Sequence, residues 1–446
     1  MRRKIYDRLL EWKKGDGKSA ALIEGARRIG KSYIVEEFAK REYKSYILID
    51  FSIASDDIKD LFYDQLSDLD TFFMYLSTLY NTKLYQRESV IIFDEVQLFP
   101  KAREAIKHLV ADGRYDYIET GSLISIKENV KDILIPSEEK KIQMYPMDLE
   151  EFMWALNEEM LYEQMRDHFI NMIPMGPLHK KAMNIFRQYL IVGGMPDPVK
   201  LFIKTRDFNE VDEAKRMILD LYRNDINKYS NDRSYIQAIF DDIPGQLSKH
   251  EKKFIYSSVD GSKYRDLYGA FEWLKESMIV NICYKTTEPN IGLKMNLDKV
   301  SLKCYMGDTG LLISMAFDEK GLIDEEIYNK LLTDKLEVNK GMLIENIVAQ
   351  ILVNSGHKLY YYSSYDKQNK DNRMEIDFLI AKKKITNRHN IIPIEVKSGT
   401  YNVHASLDKF MHKYDEYIYD PCVLHKGDLK IQSPITYLPI YFTPFL

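Results

Sequence analysis

The chain has 446 residues, 45% of them hydrophobic and 29% charged, with a formal net charge of −5. That length exceeds one ordinary core and predicts two or three soluble globular domains, while the mild negative charge gives no sign of a protein that is basic as a whole. Apolar runs of strand length exclude a membrane helix of roughly 18 residues, and three widely spaced cysteines (Cys283, Cys304, Cys422) argue against a disulfide framework or zinc site and for a cytoplasmic localisation.

The N-terminus, MRRKIYDRLLEWKKG, is basic but charged throughout, so it lacks the apolar core of a signal peptide. Ala20–Glu24 reads as a short buried strand, and from Lys31 the apolar residues Ile34, Val35 and Phe38 have helical spacing. Between them GARRIGKS fits G-x-x-x-x-G-K-[ST], the loop that turns backbone N–H groups toward phosphate oxygens at a helix N-terminus. Gly25, Arg28, Ile29, Gly30, Lys31, Ser32 and Tyr33 are the expected nucleotide-binding set. Lys31 would neutralise the β- and γ-phosphates and Ser32 would hold Mg²⁺. Strand YKSYILIDF follows, with Asp50 at its end as either a further magnesium neighbour or a loop acid. SVIIFDEVQ then gives a continuous apolar run, Val90–Phe93, suited to a central parallel strand. Asp94 and Glu95 emerge at its C-terminal end, where ligands of open α/β sheets bind. Asp94 is expected to hold Mg²⁺ through water, and Glu95 to polarise the attacking water. A third strand, Tyr115–Glu119, runs into Thr120-Gly121-Ser122, whose hydroxyls would feel the γ-phosphate.

From about Glu150 to Asn231 the pattern is mostly helical, broken at Gly193-Gly194, Pro196 and Pro198, which mark a turn or hinge. Residues 233–300 then read as helix, turn, helix and β-ribbon, the order of a winged helix. Lys249, Lys252, Lys253, Lys263 and Arg265 make this either a DNA-contacting face or a solvated lysine-bearing one.

In the last quarter Gly341–Gly356 reads as an amphipathic helix with a single acid, Glu345. MEIDFLIAKKK and IIPIEVKSG read as an antiparallel hairpin that carries Asp377 on one strand and Glu395-Val396-Lys397 on the other. Alternation puts Glu395 and Lys397 on one face. An acid followed some 18 residues later by Glu-x-Lys is the layout of a PD-(D/E)xK nuclease-like core. Asp377 and Glu395, with Glu345, would hold a divalent metal, and Lys397 would orient the attacking water. A structural Glu395–Lys397 or Asp377–Lys397 ion pair is the alternative, because a lone buried charge is costly.

GARRIGKS, IIFDEVQ, TGS and YPMDLEEF in succession, then YLIVGGMPDPV, LYRNDINKY, KCYMGDTGLL, LIEN, EIDF and PIEVKSG, resemble the AAA-type ATPases with a C-terminal DUF4143 domain. The resemblance covers nearly the whole chain. It implies an α/β fold with a P-loop parallel sheet at residues 1–148 and a helical lid at 149–232. A winged-helix-like segment would follow at 233–300 and a restriction-nuclease-like domain at 301–446, with the DUF4143 region at about 189–400. It places Thr120 and Ser122 at a position like that of sensor 1. No separate arginine finger stands out; of Arg27, Arg28, Arg114 and Arg223, Arg223 in LYRNDI is the choice. The function expected is Mg²⁺-dependent ATP hydrolysis coupled to a nuclease-like domain that cuts or binds DNA. The alternative is a nucleotide switch that binds a protein partner. ATP is the cofactor with Mg²⁺, a membrane is not expected, and a homo-oligomer would follow if an arginine comes in trans.

Overall fold

The computed structural model describes all residues except 16, 123–135, 230–232, 250, 291, 318–324, 336–339, 370–371, 383–387 and 400–403. The expected boundary at residue 232 and the last two lysines of MEIDFLIAKKK fall outside the described residues. The chain divides into two compact units, Met1–Pro146 with Glu276–Met278, and Met147–Lys275 with Ile279–Leu446. Among the described residues no helix is long and apolar enough to cross a membrane.

In the first unit five parallel strands form one sheet in the order β2-β3-β4-β1-β5. They are β1 (Ala20–Glu24), β2 (Ser45–Asp50), β3 (Ser89–Asp94), β4 (Asp116–Gly121) and β5 (Glu139–Gln143). Every residue of β3 and β4 is buried, which is why SVIIF carries no polar alternation: helices cover both faces of a parallel sheet. On one side Phe51, Phe62, Phe72, Phe93 and Phe99 gather into a single apolar cluster. Register decides where the chemistry lies. Phe93 of β3 stands opposite Glu119 of β4, and Thr120 stands opposite Ile23 of β1. Asp94, Thr120 and the loop after Glu24 therefore line up across three adjacent strand ends.

The second unit begins with helices, Leu149–Ala155 through Tyr264–Glu276, and continues into an eight-stranded mixed sheet. Its strands are β6 (Val280–Thr286), β7 (Leu297–Met306), β8 (Tyr360–Ser364), β9 (Met374–Ala381), β10 (Ile391–Val396), β11 (Cys422–His425), β12 (Lys430–Gln432) and β13 (Ile435–Pro439). They lie in the order β12-β13-β11-β10-β9-β8-β6-β7. The ribbon β6–β7 follows helix Tyr264–Glu276, as read from the sequence. It is the edge of this large sheet, joined to β8 in parallel, and β7 itself crosses residue 300.

Helix Lys340–Asn354 departs from its amphipathic reading, because Met342 through Leu352 are all buried. Its polar side chains are matched inside. Asn346 accepts from the Met306 N–H at 2.8 Å, and Gln350 accepts from the Thr309 N–H at 2.8 Å. Buried amides of this kind are tolerated only when so bonded. The Gly193-Gly194 break is held by the same network. Gly194 donates its N–H to Asp308 Oδ2 at 2.6 Å and accepts from Met147 N–H at 2.6 Å.

Candidate functional site

Gly30 sits at φ 88 and Arg28 at φ 70, so the loop after β1 makes two left-handed turns before helix Lys31–Glu42 starts. The first is natural for glycine, the second less so for arginine. Gly25 has no room for a side chain: a Cβ there would lie 2.3 Å from Ile29 Cδ1 and 2.4 Å from the Met144 carbonyl oxygen. The buried Lys31 ammonium folds back into its own loop and donates to the carbonyls of Gly25 and Ala26, each at 2.9 Å, and to Ser122 Oγ at 3.2 Å. Ser32 Oγ donates to Asp94 Oδ1 at 3.0 Å, and Thr120 Oγ1 bonds the same oxygen.

Five expected residues thus fall into two hydrogen-bonded groups, Lys31 with Ser122 and Ser32 with Asp94 and Thr120. The chemistry of the set fits a magnesium nucleotide. A backbone cradle and an ammonium suit phosphates, while one hydroxyl and one carboxylate are the sparse protein ligation Mg²⁺ accepts beside water and phosphate. Glu95 follows Asp94 with φ 52, and its Oε2 accepts from Gln97 Nε2 at 2.5 Å. Ile29 is buried, whereas Arg28 and Tyr33 are exposed. Asp50 is engaged locally, accepting from the N–H and hydroxyl of Ser52 at 2.8 and 2.6 Å.

Sequence reasoning missed Arg3. It donates to the carbonyls of Ile29 at 2.9 Å and Tyr145 at 2.6 Å, tying the phosphate loop to the segment after β5. A cleft of about 440 Å³ beside it is lined by Arg3, Tyr6, Tyr33, Glu37 and Arg41 among others, a size suited to a small ligand. No motif announces this. The only signal was a basic, amphipathic start close to a phosphate loop. Arg223 lies in the second unit, where it pairs with Asp220 at 3.4 Å and Asp241 at 3.2 Å. Arg114 pairs with Asp70 and Asp112.

The C-terminal acids also have defined partners. Asp377 Oδ2 accepts from the Val396 N–H at 2.8 Å. Burial, reinforced by the nearby charge of Glu345, pushes its carboxyl up to about 7. Glu395 Oε1 meets Lys397 Nζ at 2.5 Å. Glu345 pairs with Lys252 and accepts from the Tyr305 hydroxyl at 3.2 Å. Lys303, buried on β7, meets Glu375 at 2.7 Å. Burial works against its charge, but Glu375, Glu345 and Asp377 outweigh burial and hold the ammonium above its ordinary pKa. Lys252, Lys303 and Tyr305 were not assigned to this cluster from sequence, because nothing local tells a buried lysine from a solvated one. Among the described residues no three His, Cys, Asp or Glu side chains are gathered so as to hold a metal ion. In this arrangement Glu345, Glu375 and Glu395 each face a lysine ammonium and Asp377 takes a backbone N–H, while Glu395 Oε2 is buried with no hydrogen-bond partner among the described residues.

Residues 17–153 match the model of an AAA domain, and residues 340–442 match DUF4143, a domain of unknown function. The chain therefore carries an AAA domain and a C-terminal DUF4143 domain. Residues 183–321 match a second domain of unknown function, DUF8612, so the DUF4143 match begins later than the 189 read from the sequence. No curated protein matches the chain. Similar solved structures include the Walker-type ATPase of Pyrococcus abyssi, 16% identical with a TM-score of 0.42, covering 70% of this chain and 95% of that one. Cdc6p from Pyrobaculum aerophilum is 10% identical with a TM-score of 0.25, covering 75% and 94%. The AAA domain of this chain contains both the Lys31 and the Asp94 groups, and the DUF4143 domain contains Glu345, Asp377, Glu395 and Lys397.

Proposed function

We propose that the AAA domain hydrolyses ATP with Mg²⁺ and that its nucleotide state is read by a second unit that engages nucleic acid. The observation that carries the first half is the convergence of Lys31, Ser32, Asp94, Thr120 and Ser122 at neighbouring strand ends. Lys31 would leave its carbonyl partners for the β- and γ-phosphates. Ser32 and Asp94 would hold Mg²⁺, which supplies charge neutralisation on the phosphates. Glu95 would orient the attacking water, with Gln97 fixing its carboxylate. Thr120 and Ser122 would report the γ-phosphate, and the cleft beside Arg3 and Tyr33 would take the nucleoside.

Titration calorimetry with ATP and Mg²⁺, paired with a turnover assay, tests this reading. Lys31→Ala is expected to lose nucleotide binding. Glu95→Gln is expected to keep binding and slow hydrolysis by about 100-fold or more, as loss of a general base does. An unchanged rate in Glu95→Gln removes that residue from the mechanism. Turnover per chain that rises with protein concentration would identify an arginine supplied in trans; otherwise Arg223 has to leave Asp220 and Asp241 to serve.

For the second unit, what supports nucleic acid is the order helix Lys340–Asn354, β8, β9, β10, helix Ala405–Tyr414, β11. Its first three strands are antiparallel and its last pairing is parallel. That order, with Asp377 on β9 and Glu395 and Lys397 at β10, resembles the core of restriction-type nucleases. A cutting version is removed if DNA and RNA stay intact with Mg²⁺ or Mn²⁺, with and without ATP. A version that binds without cutting is favoured by the Lys252–Glu345 and Lys397–Glu395 pairs.

A further inference from the structure

Beside the acid cluster, within the second unit, lies a cleft of about 720 Å³. Lys249 and Lys252 line it from the segment after helix Arg233–Ser248, Lys335 from the segment after helix Glu325–Leu332, Lys340 from the start of helix Lys340–Asn354, and Ser398 and Gly399 from the end of PIEVKSG. Its lining thus carries four lysines and one acid, Asp334. That acid is already matched: Lys340 lies 2.7 Å from it and Lys426 2.9 Å. Lys335 is exposed, and among the described residues the Lys249 ammonium makes one neutral hydrogen bond, to Gln246 Oε1 at 3.1 Å. A chain with net charge −5 has therefore placed an excess of positive charge in one recess.

At the floor Lys252 reaches Glu345, so the recess and the acid cluster are continuous. Lys397 pairs with Glu395 Oε1, and Glu395 Oε2 is buried with no hydrogen-bond partner among the described residues. Behind the recess Glu345, Glu375 and Glu395 each face a lysine, so the recess keeps an excess of positive charge that suits a polyanion.

We infer that this cleft binds the phosphate backbone of nucleic acid without a metal ion, through Lys249, Lys252, Lys335 and Lys340. The inference rests on the proposed engagement of nucleic acid by the second unit and names the surface that does it. An acidic peptide would meet the same charges. The helix–strand order around Asp377 and Glu395 favours phosphodiester, and the choice is an outcome of the test.

The experiment is fluorescence anisotropy of labelled single-stranded and duplex oligonucleotides with the full chain, in EDTA and then in Mg²⁺, across a salt series. Binding is expected in EDTA. Lys249→Glu with Lys335→Glu is expected to weaken it at least 10-fold and to reduce the slope of log affinity against log salt by about two, one for each lost contact. ATP hydrolysis and the melting temperature of this double variant should stay as in the parent, which excludes misfolding. Binding that survives the double substitution unchanged, or that appears only with Mg²⁺, overturns the inference while leaving nucleic-acid engagement intact. Absence of oligonucleotide binding under every condition overturns both. Displacement by poly-glutamate with equal efficiency assigns the cleft to acidic protein and also overturns it.

Discussion

At the scale of single residues, the candidate nucleotide site and the sheet behind it hold two groups in awkward places. Glu95 holds a left-handed backbone, which a non-glycine residue adopts at a cost of about 1–3 kcal/mol. The return is a carboxylate turned out of the strand direction and latched by Gln97. A second awkward group lies deeper. Glu119 on β4 is fully buried, and burial first, then the charge of Glu139, raises its carboxyl well above the ordinary range. Glu139 itself is held by Arg103 through two contacts of 2.8 Å. An acid whose folded pKa is raised stays protonated in the native state while the unfolded chain ionises. Its contribution is therefore full below the unfolded carboxylate range near 4.5 and is lost as pH rises from there toward the folded pKa. Glu119→Gln, neutral at every pH, should remove that loss. Thermal unfolding measured from pH 5 to 8 is expected to show the variant gaining on the parent as pH rises. A constant gap across the range would deny Glu119 a raised pKa.

At the scale of elements, the break at Gly193-Gly194 is where packing allows no alternative. A Cβ on Gly194 would lie 2.1 Å from the Met147 carbonyl oxygen, and one on Gly310 2.5 Å from that of Val192. Those carbonyls are backbone and cannot swing aside. Gly194→Ala is expected to destabilise the chain by roughly 1–3 kcal/mol or more, seen as a lowered melting temperature, whereas Gly113→Ala, with nothing within 4 Å, should cost only its left-handed strain. The sequence signalled a turn here but not that GGMPDP, GDTG and LIEN meet in one buried network. Local patterns were legible wherever a residue's role is set by its neighbours in sequence: the phosphate loop, the apolar run before Asp94, the β9–β10 hairpin. They were not legible where partners come from far along the chain. The edge ribbon β6–β7 looked like a separate wing because its pairing with β8, some 75 residues on, leaves no local trace. Lys252 and Lys303 looked like surface lysines because only the fold brings Glu345 and Glu375 to them.

At the scale of the whole molecule, an ATPase is useful only if its second unit responds to the nucleotide. Ligand binding to the native state at 100 times its dissociation constant adds about 2.7 kcal/mol, and that energy can reach another unit only if the two nucleotide states differ there as well. Hydrogen exchange on the full chain separates the cases. With ATP and Mg²⁺, backbone amides of residues 25–33, 94–97 and 120–122 should gain protection, since these carry the cradle, the acids and the two hydroxyls. If the nucleotide state is transmitted, exchange should change as well near Lys249, Lys252 and the start of helix Lys340–Asn354, which line the basic cleft. Lys31→Ala should cancel both sets together, because one bound triphosphate drives both. Protection confined to the first unit would leave ATP hydrolysis standing and remove the coupling, and the DUF4143 domain would then act without regard to nucleotide.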